Sequence, residues 1–122
     1  MPQFLLYENQ SEASRDFYPY FVNVQCNLLE TLNTRVVTPL TPLRYLDYMS
    51  ISTLCLITVV DDVTYALLTQ QITTVPITAL KVSVASLDDL CDEIIAAIDM
   101  LITGIRILIS LPGYAVPTRP TA

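Results

Sequence analysis

Apolar and polar residues alternate along most of the first two-thirds of the chain, and the period changes near residue 85. "QFLLY" (3–7) reads as a short first strand. "NQSEASRD" is a polar loop. In "YPYFVNVQ", Tyr20, Val22 and Val24 alternate with Phe21, Asn23 and Gln25, a period of two built from strong β formers. "NLLETLNT" reads as a loop or one helical turn. "RVVTPL" is the next strand, with Pro39 marking an edge or an exit. "PLRYLDYM" is ambiguous, at most one turn of helix. "STLCLITVV" and "VTYALLTQQ" flank Asp61-Asp62 and read as a hairpin. "ITTVPITALKVSV" supplies one or two further strands, Pro76 again at an edge or bulge. Short strands on short connections predict a small barrel or sandwich.

Beyond residue 85 the apolar spacing becomes three and four. Leu90, Ile94, Ile98, Leu101, Ile102, Ile105 and Ile109 form one stripe; Asp92, Ala96, Asp99, Thr103, Arg106 and Ser110 lie opposite. Ser86 with Asp89 is a weak capping box. Asp88, Asp89, Asp92 and Glu93 put negative charge where a helix dipole favours it. The pattern predicts one amphipathic helix over about 87–111. Gly104 lies inside it, and Pro112-Gly113 ends it. Residues 1–111 therefore form a single domain, and 112–122, with three prolines, a disordered tail.

Composition narrows the function. Apolar residues make up 52% of the 122 and charged ones 15%, enough for a core with apolar surface left over, which favours a homo-oligomer or a bound partner. A net charge of −6, with only six scattered cations, disfavours direct nucleic-acid binding. The apolar window 94–111 contains Asp99 and Arg106, so no membrane span is expected. The first residues lack the basic start of a signal peptide. Cys26, Cys55 and Cys91 have no disulfide or zinc spacing and read as reduced thiols of a cytoplasmic protein. With no histidine there is no His-based triad, His-ligated metal or Cys–His pair, and two glycines cannot make a phosphate loop. Neither metal nor cofactor is expected. Asp61-Asp62 and Asp88-Asp89 fit a turn and a helix start better than a carboxylate dyad or a magnesium site. A nuclease site around Arg35 and Arg44 lacks the usual general base. A protein-binding module is favoured over an enzyme.

Four stretches, in order, resemble the CcdB family of toxins from bacterial plasmid and chromosomal toxin–antitoxin pairs: "QFLLYEN", "YPYFVNVQCNLLETLNTRVVTPL" (18–40), "LLTQQITTVPITAL" (67–80) and "IIAAIDMLITGI" (94–105). The resemblance covers residues 3–105. It implies a mainly β fold with one C-terminal helix, the SH3-like barrel of CcdB- and MazF-like toxins: a five-stranded antiparallel sheet plus a smaller sheet. It also implies a homodimer that poisons DNA gyrase, a type II topoisomerase, through its A subunit, in support of plasmid maintenance. A CcdA-like antitoxin neutralises such toxins, and the complex acts as a transcriptional repressor of its own operon. The antitoxin, not the toxin, contacts DNA. The gyrase-binding positions carry over to Asp99, Ile102, Thr103, Gly104 and Ile105; Cys26, Leu28 and Leu29 correspond to weaker antitoxin or gyrase contacts. From periodicity alone, Ile102 and Ile105 are core positions, and Leu28 and Leu29 are core or dimer-interface leucines. Two features depart from the family pattern. Thr103 stands where the family has Trp, and "RILISLPGYAVPTRPTA" (106–122) extends past the family's free end. The extension lengthens the helix, folds back onto the dimer, or is a passive appendage. Two alternatives stay open: an endoribonuclease toxin of the same barrel, and an inactive relative that still binds antitoxin.

Overall fold

The computed structural model describes residues 2–46 and 55–104, with the backbone alone for Cys55. Seven strands carry the predicted alternation: β1 (Leu5–Glu8), β2 (Tyr20–Asn23), β3 (Thr34–Pro42), β4 (Cys55–Val60), β5 (Val63–Leu68), β6 (Thr73–Pro76) and β7 (Ser83–Ser86). One helix follows, α1 (Cys91–Thr103). The strands are antiparallel and curl into a half-barrel with the order β4-β5-β3-β2-β1-β7.

The two expected sheets are hydrogen-bonded into one because β3 is long enough to serve both. Thr34–Val37 pair with β6, and Leu40–Pro42 pair with β5, both on the side away from β2. Pro39 was expected at a strand end and instead lies in the middle of this strand, opposite Phe21. The Val36 carbonyl accepts from the Val24 N–H, so even-numbered residues of β3 direct their backbone polar groups at β2 and odd-numbered ones away from it. Pro39 thus turns its missing donor into the gap between β6 and β5, where no ladder partner waits.

Alternation places one residue set on each face. The inner face carries Leu6, Val22, Leu40, Tyr65 and Leu67, and Ile94 of α1 packs into them with Leu90, Cys91 and Ile98 around it. On the outer face Tyr7, Val37 and Leu80 form a second cluster and Ala66 with Leu68 a third, the latter covered by Tyr18, Leu43 and Leu46. Phe4 joins the inner core at φ 66°, a left-handed conformation that is rare for a bulky residue. Its backbone is held at both ends: Phe4 N–H donates to the Asn23 carbonyl, and its carbonyl accepts from Leu87 N–H.

The Asp61-Asp62 hairpin forms as predicted, with φ of 49° and 66° at the two positions, the backbone a tight two-residue turn requires. A 3-10 turn, Leu43–Tyr45, follows β3. The helix begins differently from expectation. A 3-10 turn over Asp88–Leu90 precedes α1, and Ser86 Oγ accepts from Asp88 N–H at 3.3 Å, so no reciprocal capping box with Asp89 forms. Gly104 adopts φ +71° and its N–H donates to the Met100 carbonyl, a left-handed cap directly after Thr103. The expectations for 105–111 and for the 112–122 tail lie outside the described residues. Among those residues, β4 and β7 end the hydrogen-bond ladder, and a cleft of about 310 Å³ separates them.

Candidate functional site

Each α-helical residue turns 100° about the axis. Measured from Ile94, which points into the core, Ile98, Leu101 and Ala97 stay within 60° of that direction. Ile95 and Ile102 lie at about 100° and 80°, with Asp99 at 140° and Thr103 opposite the core. The accessibilities follow this geometry. Ile94 and Ala97 are buried, whereas Ile95 is exposed and Ile102 keeps 74% of its surface in water. Ile102 is therefore not a core position, which corrects the stripe read from spacing alone. Asp99 and Thr103 are half-buried, and Thr103 Oγ1 donates to the Asp99 carbonyl at 2.7 Å. With Gly104 exposed beside them, Asp99, Ile102 and Thr103 end the helix as one contiguous surface; Ile105 lies outside the described residues.

The second group, Cys26, Leu28 and Leu29, lies on a loop whose nine residues, Cys26–Thr34, are all exposed. Leu28 is 91% exposed, and Leu29 and Leu32 stand about half in water. None is a core leucine. Leu32 belongs with the others and was missed, because nothing in the spacing of "NLLETL" separates an outward leucine from an inward one. A 3-10 turn, Asn27–Leu29, shapes the loop, and Asn27 Oδ1 accepts from Gln3 N–H at 3.2 Å.

The residues considered for catalysis come apart. Arg35 is buried, 5% exposed, with its guanidinium spent on backbone carbonyls: Nη1 donates to Leu32 and Thr34, Nη2 to Glu30. Arg44 is exposed at the other end of β3, more than about 20 Å along an extended strand, with its guanidinium 4.8 Å from the Tyr45 ring centroid. Tyr45 in turn stacks on Phe17 at 5.4 Å. Burial and the neighbouring Asp92 carboxylate push the Cys91 thiol up, the opposite of what a nucleophilic thiolate needs. Asp61 and Asp89, one from each acidic pair, both line the cleft between β4 and β7, in an exposed turn and at a helix entry. Among the described residues, no three His, Cys, Asp or Glu side chains converge as metal ligands would, and no helix is long and apolar enough to cross a membrane.

Sequence comparison agrees with this arrangement. The family model described as "CcdB protein" matches residues 3–104, from two residues before β1 to the residue that caps α1. No curated protein matches the chain. With its curled antiparallel sheet, its C-terminal helix α1 and a family match over most of its length, the chain belongs to the CcdB family, the toxins of toxin–antitoxin pairs.

Proposed function

We propose that the protein binds the A subunit of DNA gyrase as a homodimer and poisons the enzyme without catalysis of its own, until an antitoxin removes it. The observation that carries this reading is Ile102. An isoleucine three-quarters exposed, at the last turn of α1 and two residues before a glycine, costs solubility and contributes nothing to the core. A twofold pair of such helix ends offers two apolar knobs with a carboxylate beside each. The exposed Leu28, Leu29 and Leu32 add apolar surface of the same kind. The endoribonuclease reading loses its main candidate, because the Arg35 guanidinium already serves three carbonyl bonds.

One observation favours a second reading, an antitoxin-binding relative that no longer poisons. Where an aromatic side chain would bring ~150–250 Å² of contact, Thr103 brings a small side chain bonded back to its own helix.

Purified protein mixed with gyrase, ATP and plasmid DNA separates these readings. The proposal expects trapped double-strand breaks, lost at least tenfold in Ile102→Asp. The substitution lies on the surface, so stability should stay within about 0.5 kcal/mol of wild type. Cleavage of RNA in place of DNA trapping would establish the nuclease reading. Antitoxin binding without trapping, by the full chain and by a form ending at Ile105, would establish the inactive relative.

A further inference from the structure

The segment Cys26–Thr34 has no apolar anchor of its own. All nine residues are exposed, and none in its 3-10 turn is buried. A loop with three leucines would ordinarily collapse them against the body of the protein. Here buried polar side chains hold it open. Gln25 Nε2 donates to the Leu29 carbonyl at 3.0 Å, while its Oε1 accepts from Val36 N–H at 3.0 Å. Asn23 Oδ1 accepts from Gln25 N–H, and Asn23 Nδ2 donates to the Pro2 carbonyl. Arg35 then gathers the carbonyls of Glu30, Leu32 and Thr34 at 2.6–2.8 Å. The carbonyls of residues 29, 30, 32 and 34 are thus fixed from beneath by two side chains.

We infer that Arg35, seconded by Gln25, is a positioning residue: it sets the conformation of loop 26–34 and so presents Leu28, Leu29 and Leu32 as a preformed apolar docking surface. Charge-assisted bonds to carbonyls are about twice as strong as neutral ones, and Arg35, itself buried, makes three. A loop ordered in advance loses less entropy when it docks. Lysine cannot replace the fork, since one ammonium cannot reach three diverging carbonyls with planar geometry. The choice of partner rests on the gyrase reading above; the positioning role does not.

The test has two arms on the full chain, with Arg35→Lys as the variant that keeps the buried charge and Arg35→Gln as the stronger perturbation. In the free protein, amide hydrogen exchange at Leu29, Glu30 and Leu32 should quicken at least tenfold in Arg35→Lys, while the amides pairing β1 with β2 keep their protection. Unchanged exchange in the loop, or an equal rise across the sheet, overturns the inference. In the second arm, affinity for a gyrase A fragment is measured in a double-mutant cycle with Leu28→Ala/Leu29→Ala. Arg35→Lys should weaken binding at least fivefold in the wild-type loop and less than twofold in the leucine-free loop. Equal losses in both backgrounds would mean Arg35 acts elsewhere and overturn it. If the wild-type protein does not bind the fragment, the gyrase reading falls, and the exchange arm decides the positioning role alone.

Discussion

Tyr7 packs with Val37 and Leu80 on the outer face of the sheet, and burial lifts its phenol above the usual 10.0, with the Arg35 charge pulling partly the other way. Tyr20 shifts in the same direction, through burial first and then its neighbour Tyr65. A phenol that holds its proton more tightly in the folded state contributes stability that is fully present below the unfolded pKa and is lost as pH rises through the folded one. The stability of this protein should therefore fall above about pH 10. Tyr7→Phe should lose less between pH 8 and pH 11 than wild type does, measured by urea unfolding at both values. Thr38 and Thr41 bury their hydroxyls on β3 without a hydrogen-bond partner among the described residues. Thr38→Val keeps the shape and removes the unsatisfied group, so it should raise stability by about 1 kcal/mol in the same assay. At this scale the sequence is least legible. Ile102 follows Ile98 by four residues and fits the core spacing, yet whether a flank position is covered depends on what lies opposite it. Arg35 looks like a free cation on paper because its partners are main-chain oxygens, which every residue has.

At the level of elements the local signals are strong. The Asp61-Asp62 hairpin was legible because two strong β-forming runs flanked a pair of turn residues that tolerate positive φ. The change of period located the helix, and its acidic entry was visible. What misled was the reading of Pro39 as the end of a strand: it sits within β3, where its ring interrupts no bond, while Gly104, read as an interior helix position, takes the left-handed conformation of a cap. The Gly104 cap gives a direct prediction. Among the described residues, and its own helix backbone and chain neighbours aside, a Cβ at that position would meet no atom within 4 Å, so the cost of Gly104→Ala lies in the backbone conformation. It should be about 1 kcal/mol, a fall in Tm of roughly 4 °C in a thermal melt.

For the molecule as a whole, the strand list was readable and the partner list was not. Nothing in "TRVVTPLTP" announces that its first half pairs with β6 and its second with β5, since pairing is decided by distant segments. The resemblance to a family implied a five-stranded sheet, a smaller sheet and one C-terminal helix, but not that β3 joins the two sheets into one. The curl stops short of closing, and that has a consequence for handling the protein. Ile57 and Val59 on β4, and Val84 on β7, are exposed along rims whose outward main-chain donors and acceptors have no ladder partner among the described residues. Such rims can template another chain's backbone. In concentrated, partner-free stocks they would seed filaments, opposed mainly by the repulsion between copies each carrying −6. Val59→Lys should raise the concentration at which light scattering first climbs, and high salt should lower it for the wild type.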